Sequence, residues 1–430
     1  MKTLLILCLI ALLAVQCAPV PAATPVPEAE VPPTAAPAEK ITVVHWQHHH
    51  EARAKIVQEL ADEFTATNPN IQIDFESVPY DAYFDKLVTS LEAGSGPDVF
   101  QIPANIAFEF FRRGQLAPVP AEVMTTEAIE SSFVGWTVEL LKFEGQYYGL
   151  PTDVQTFLLF INNALFEEAG LDPSKGPETW DEFTEYAVKL TKRDANGNLI
   201  QAGVDLGSPY QWYWSLPLQT IDQGFVDPET LKVTYNSSGG YRAWQFLTDL
   251  VVKYHVDSPE FLAEQQKFVL GKAAMNLHEY VYAGTLKLQA PDLKFTIHFP
   301  PHPKDRPLVI GGTYWTYVVS SQSKHPAEAW KWVKFLTSTE AQRKWVAGGG
   351  ELPSRQELID DPQLRADPNV AKALDSMQYA KVFNGIGWDD VWYIHQAIYD
   401  NIVLKGMDVK TAVDQGAQEE EALYQKKLGH

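Results

Sequence analysis

Four histidines crowd one short stretch: His45, then His48, His49 and His50, around Trp46 and Gln47 and directly after the apolar run Ile41–Val44. Clustered imidazoles can bind a transition metal. Adjacent residues in a strand-to-helix turn point different ways, however, and no thiolate or spaced carboxylate keeps them company. The stretch therefore reads as a helix-start loop in which one histidine touches a ligand; no metal and no cofactor is expected. A second cluster is aromatic, Tyr210-Gln-Trp-Tyr-Trp214. If extended, Trp212 and Trp214 share a face and form a stacking platform; if helical, they diverge and one is core. Trp315 follows Gly311-Gly312-Thr313-Tyr314, where paired glycines let backbone approach a ligand closely. Trp388 and Trp392 stand near the C-terminus, and His278-Glu279-Tyr280, Gln101, Asn105, Asp153 and Gln155 supply polar groups beside apolar strands. Such a set suits a partner with apolar faces for rings and hydroxyls for amides and carboxylates.

Enzyme chemistry finds less support. There is no G-x-S-x-G elbow, H-E-x-x-H helix, Walker A lysine loop or G-x-G-x-x-G fingerprint. Carboxylate pairs are too frequent in this chain to signal glycoside hydrolysis. The only cysteines are Cys8 and Cys17, so the folded body has no disulfide, thiolate zinc site or thiol nucleophile. With 34 Lys and Arg against 55 Asp and Glu, the net charge of −21 disfavours nucleic acid and anionic membranes. The partner is then uncharged or cationic.

These residues need elements to hold them. At 430 residues the chain exceeds what one core supports, so two lobes are expected. Ile41–Trp46 reads as a buried strand, Ile56, Val57, Leu60, Ala61 and Phe64 as one helix face, and Ile71–Glu76 as an alternating strand. Phe84, Leu87, Val88 and Leu91 mark a second helix, and Val99–Ile102 a third strand after Gly94-Ser-Gly-Pro-Asp98. Asp98 reads as an organiser of that turn. A β-α-β-α-β rhythm implies a parallel sheet flanked by helices. Thr179-x-x-Glu182 is a capping box opening a helix through Leu190, and Pro326 starts another that runs toward Gly348-Gly-Gly350. Tyr314–Val319 reads as a strand.

The N-terminus reads as an address. Lys2 and the apolar run Leu4–Val15 have the size of a signal-peptide core, too short for a stable membrane span. Leu12-Leu-Ala-Val-Gln-Cys17 resembles a lipobox in which Cys17 is lipidated, although Gln16 departs from the usual small residue; cleavage near Ala22 or Ala23 is the alternative. Residues 18–40, rich in Pro and Ala, read as an extended tether.

Six collinear blocks then carry a resemblance. Gly94-Ser-Gly-Pro-Asp-Val99, Tyr147-Tyr-Gly-Leu-Pro151 with Phe160-Ile-Asn162 and Leu165–Gly170, Pro177–Phe183, Gly271-Lys-Ala-Ala-Met275, Ser323–Trp330 and Leu352-Pro-Ser-Arg355 resemble the family 1 extracellular solute-binding proteins. These are the sugar-capturing components of bacterial ABC importers, distantly related to maltose-binding protein. The resemblance implies an α/β, type II periplasmic-binding-protein-like fold: two α/β lobes, a hinge crossed three times and a ligand cleft between. Residues 41–151 and 312–348 would form the N-terminal lobe, 152–311 and 349–430 the C-terminal one. It also implies an exported, non-enzymatic, monomeric protein that captures a carbohydrate and presents it to permease subunits, touching the membrane only through a lipid anchor at Cys17. The implied contacts are Trp46, Gln47, His48, Gln101, Asn105, Asp153, Gln155, Trp212, Trp214, His278, Glu279, Tyr280, Gly312, Thr313, Tyr314, Trp315 and Trp388. A metal ion or polyamine, and a secreted glycoside-acting enzyme, remain as alternatives.

Overall fold

Apolar residues at period two became strands, those at spacing three and four became helices, and two long strands tie the halves together. The computed structural model describes residues 40–428 except Gln223, Pro228, Glu264, Ile386 and Gly387. The signal segment, Cys17 and the tether lie outside the described residues, as does the side chain of Trp388.

The main sheet contains β1 (Ile41–His48), β2 (Ile71–Val78), β3 (Val99–Pro103), β4 (Leu150–Asn162), β5 (Lys192–Arg193), β6 (Leu199–Val204), β7 (Ala273–Glu279), β8 (Phe295–His298), β9 (Ile310–Val319), β10 (Leu352–Pro353) and β11 (Ala380–Val382). Its order is β2-β1-β3-β9-β4-β7-β6-β5, with β8 and β10 also on β4 and β11 on β9. The helices that matter below are α1 (Glu51–Thr67), α2 (Tyr80–Glu92), α3 (Trp180–Leu190), α4 (Tyr210–Thr220), α5 (Ser238–Val252), α6 (Tyr282–Gln289), α7 (Pro326–Leu336), α8 (Pro368–Ser376), α9 (Trp388–Val403) and α10 (Val409–Leu428).

The expected β-α-β-α-β start is present: β1 pairs parallel to β2 and to β3, with α1 and α2 as the connections. Ile56, Val57, Leu60, Ala61 and Phe64 are the buried face of α1. Asp98 organises its turn, accepting from Val44 N (2.9 Å) and from Ser323 Oγ (2.6 Å). Thr179 caps α3, its hydroxyl accepting from Glu182 N, while the Glu182 carboxylate reaches back to Glu178 N. That closes a capping box displaced by one residue.

β4 is buried over its whole length. Its first half pairs with β9 and β10 and its second with β7 and β8. Alternation then feeds two cores: Val154, Leu158 and Phe160 pack in the cluster that also holds α1, α2 and α7, whereas Phe157, Leu159 and Ile161 pack with α3, α4, α5, α9 and α10. β9 likewise pairs with β3 at one end and β11 at the other. The two halves therefore share one continuous sheet.

One boundary differs from expectation. α7 stops at Leu336, because Ser338 caps a new short helix at residues 339–344; a π-helical turn, Trp345–Gly349, then leads into the glycines. Gly271 and Lys272 precede β7 in a turn, where Gly271 has φ +64°.

Candidate functional site

A β-bulge marks the middle of the molecule. Tyr314 pairs with Val154 but Thr316 pairs with Pro151, so Thr152 and Asp153 together oppose Trp315. The extra residue bends the strand and re-aims its side chains. Thr152 Oγ1 donates to Trp315 O at 3.2 Å, and the Asp153 side chain is fully buried.

What meets Asp153 there is Arg53, from the first turn of α1. Arg53 Nη2 lies 2.9 Å from Asp153 Oδ2, Arg53 Nη1 donates to His48 Nε2 at 2.9 Å, and Arg53 Nε pairs with Glu351. A guanidinium only donates, so His48 Nε2 is the acceptor and the ring is neutral, with its proton on Nδ1. Burial, then the Arg53 charge, push the His48 pKa down to about 2. The His48 ring lies 4.0 Å from that of Trp315, and Tyr80 stands edge-on to it at 5.7 Å. Gln101 Nε2 donates to Asp153 Oδ1 (3.1 Å), Tyr317 OH to Gln47 Oε1 (2.6 Å), and Val281 N to Gln155 Oε1 (2.9 Å).

Around this cluster, buried polar atoms lack a hydrogen-bond partner, namely Gln47 Nε2, His50 Nδ1, Asn105 Oδ1, Gln155 Nε2 and Glu351 Oε2, whereas His48 hydrogen-bonds to the Gln101 side chain. Such atoms are costly to bury and are rarely left so without a reason. They include donors and acceptors in comparable number.

The facing half contributes the ends of β7 and α4. Tyr210 OH donates to Glu279 (2.9 Å), as does Gln211 Nε2 (2.9 Å), and His278 Nδ1 lies 2.9 Å from Glu279 Oε2. Burial would raise the Glu279 pKa, but the His278 charge and these hydrogen bonds outweigh it and hold the carboxyl below its usual range. The rings of Tyr210 and Trp392 are 5.6 Å apart, and His278 stacks on Tyr282 at 4.1 Å. Two cavities flank this segment. One, of about 470 Å³, is lined by His50, Val346, Ala347 and Gly350 together with residues of Tyr280–Leu288 and Gln363–Val370. The other, of about 300 Å³, is lined by Asp205, Tyr210, Gln211, Asn276, His278 and Tyr282 among others.

Several expected contacts sit elsewhere. α4 is helical, so Trp212 and Trp214 diverge: Trp212 packs on Phe183 and Trp214 stacks on Phe383, both in the core and neither forming a platform. Tyr210, at the start of the same helix, is the aromatic that reaches the cavity. The glycine pair admits neighbouring side chains: a Cβ on Gly311 would meet Ser215 Oγ at 2.4 Å, and one on Gly312 the Trp136 ring at 3.0 Å. Tyr314 is buried against Trp136, its hydroxyl accepting from Leu140 N, and Thr313 is buried in the ladder opposite Gln155. Trp46 is half-buried, with Lys86 Nζ 3.9 Å over its ring. His45 is core, accepting from Trp332 Nε1 at 3.2 Å, its pKa lowered by burial to about 3. No group of three or more His, Cys, Asp and Glu spaced for a metal ion occurs among the described residues.

The residues that the sequence did not single out are Arg53, Glu351, Tyr80 and Gln211. Arg53 looks like any cation in a helical first turn, and only the fold reveals its burial. Glu351 stands where the third hinge crossing was expected, a signal that was available.

A family model of bacterial extracellular solute-binding proteins matches residues 49–343. The chain is 28% identical over 325 residues to an arabinooligosaccharide-binding protein of Bacillus subtilis, covering 71% of this chain and 72% of that one. It is 24% identical over 343 residues to a maltotriose-binding protein of Pyrococcus abyssi, covering 79% and 72%. Among solved structures, an ABC substrate-binding protein from Listeria monocytogenes in complex with cycloalternan superposes with a TM-score of 0.75 at 20% identity, covering 90% of this chain and 99% of that one. The fold is thus that of the type II periplasmic binding proteins, and the chain belongs to the bacterial extracellular solute-binding proteins.

Proposed function

We propose that this protein captures a carbohydrate between its two halves and presents it to the permease of an ABC importer. The observation that carries the reading is the set of buried, unpartnered polar atoms around the bulge. An anion would ask for donors and a metal or polyamine for acceptors, whereas a sugar hydroxyl both donates and accepts. The rings of Trp315, Tyr80, Tyr210 and Trp392 offer faces for the C–H side of a pyranose. The names of the relatives agree, since they bind arabinooligosaccharides and maltotriose. Asp153 takes part through Arg53 and Gln101, whereas His48, Trp315, His278, Glu279 and Tyr280 border the ligand.

In this reading residues 41–151 and 312–348 move as one lobe and 152–311 and 349–430 as the other. The ligand, held by both, favours the closed arrangement. Export by the N-terminal signal, an anchor at Cys17 and action as a monomeric binding protein rather than an enzyme complete the proposal. The test is a thermal-shift series on the full chain with maltotriose, arabinotriose and the matching monosaccharides, and with metals and spermidine as controls. A ligand at a hundred times its Kd adds about 2.7 kcal/mol. A raised midpoint with a glycan supports the reading; a shift only with metal or spermidine, or release of arabinose or glucose from the oligosaccharides, overturns it.

A further inference from the structure

We infer that Arg53 is the positioning residue of the cleft, a single guanidinium that locks the His48 loop to the chain segments at Asp153 and Glu351. The inference rests on the cleft proposed above and adds what sets its geometry. Each nitrogen of the group serves a different segment: Nη1 the end of β1 at His48, Nη2 the β4 bulge at Asp153, and Nε Glu351 at the entry to β10. The planar fork suits this role, because its donors hold fixed mutual directions that a lysine ammonium lacks. The Arg53 side chain is 7% exposed and both carboxylates 0%, so water does not substitute for any of these bonds. Turning one segment relative to the others must break a bond to a buried charge. Arg53 needs no ligand contact to matter: it fixes His48 Nε2 as acceptor, and thereby sets the His48 ring beside Trp315 with Nδ1–H toward the Gln101 side chain.

One cation between two buried carboxylates also leaves a proton to be placed. Asp153 from β4, Arg53 from α1 and the Tyr317 hydroxyl from β9 are the groups that face Glu351. Burial pushes the Glu351 carboxyl up to about 8, against the pull of Arg53 and with the help of the Asp153 charge. Glu351 is then neutral at pH 7, and its unpartnered Oε2 completes a carboxylic acid beside the ion pair. Since its folded pKa lies above the unfolded value of 4.5, the folded state holds a proton that the unfolded state has lost. Stability contributed by this group is full below about pH 4.5 and falls until pH passes about 8.

The experiment has two arms on the full chain. In the ligand-free arm, the thermal midpoint is followed from pH 4.5 to 9.5 for wild type and Glu351→Gln. The difference between them should grow to about pH 8 and then level; superimposable profiles overturn the proposal. In the second arm, maltotriose and arabinotriose are titrated at pH 7 and pH 9. Arg53→Lys, which keeps the charge and loses the fork, should weaken binding at least tenfold, and wild type should weaken from pH 7 to pH 9 while Glu351→Gln does not. Wild-type affinity in Arg53→Lys, whatever its midpoint, would reduce Arg53 to a structural role. If neither trisaccharide binds wild type, the carbohydrate reading fails by itself and the ligand-free arm still decides whether the Arg53 unit exists.

Discussion

Two buried polar networks of similar size lie in different parts of the molecule, and they differ in whether every atom has a partner. The first joins α4, α9 and α10. Trp214 Nε1 donates to His395 Nδ1 at 3.2 Å, and an indole N–H can only donate, so His395 carries its proton on Nε2. That proton goes to Glu420 Oε2 at 2.9 Å, which also accepts from Tyr235 OH at 2.7 Å, while Tyr424 OH donates to the other oxygen. No atom of this network is left without a partner. The second, around Arg53, is as deeply buried, yet Gln47, Gln155 and Glu351 each keep an unpartnered atom. Between these two networks, burial of polar groups does not distinguish scaffold from candidate site, whereas completeness does. A closed network fixes helices in place, and an open one costs stability that a ligand can return.

The largest effect should come from opening the closed network. Glu420→Ala strands three donors, from His395, Tyr235 and Tyr424, and leaves a cavity. At roughly 1–3 kcal/mol for each unsatisfied group, the loss of stability by urea unfolding should exceed about 3 kcal/mol. Glycan affinity of the folded fraction should stay as in wild type. A variant that keeps its stability would break the comparison at its scaffold end.

The reverse pattern is expected at Asn105, which is 5% exposed with Oδ1 unpartnered. Removing an acceptor that bonds to nothing does not cost a hydrogen bond, so Asn105→Ala should change stability by less than about 1 kcal/mol. Affinity should fall about tenfold, the equivalent of one lost bond to a sugar hydroxyl at about 1.4 kcal/mol. Unchanged affinity measured by calorimetry would remove Asn105 from the site and weaken the rule that open networks mark it.

The same contrast explains what the sequence made legible. Periodicity revealed β2, α1 and α2, because each buries one face and so leaves a regular trace, while β1 and β3 stood out as short apolar runs. The bulge at Asp153 and Trp315 left none: it depends on the register between β4 and β9, two strands about 160 residues apart in the chain. Both residues were nevertheless singled out, since a Trp after paired glycines and an Asp after Gly149-Leu-Pro151 stand at crossing points. The Tyr210–Trp214 segment shows the opposite failure. Its aromatic density was visible, but the choice between helix and strand, which the segment left open, decides which ring faces the cavity, and α4 formed as a helix with Pro217 inside it. Arg53 was invisible for a simpler reason: a cation in a first helical turn is ordinary at the surface, and only the tertiary fold places two carboxylates against it.

The smallest expected effect tests where the site ends. Trp46 lies on the face of β1 opposite His45 and Gln47, and Lys86, 34% exposed, sits over its ring and pairs with Glu76. An exposed ion pair and an exposed cation–π contact each contribute at most about 1 kcal/mol. Lys86→Ala should therefore shift stability by no more than that, and the shift should shrink further in high salt. Affinity for whichever trisaccharide binds should not change, because Lys86 belongs to neither network and strands no buried atom. A loss of affinity, with stability intact, would mean that the Trp46 ring meets the ligand and that Lys86 sets its angle. The cleft would then extend along the outer face of β1, and an exposed, partnered residue would belong to the site, which is the case the comparison of open and closed networks does not allow.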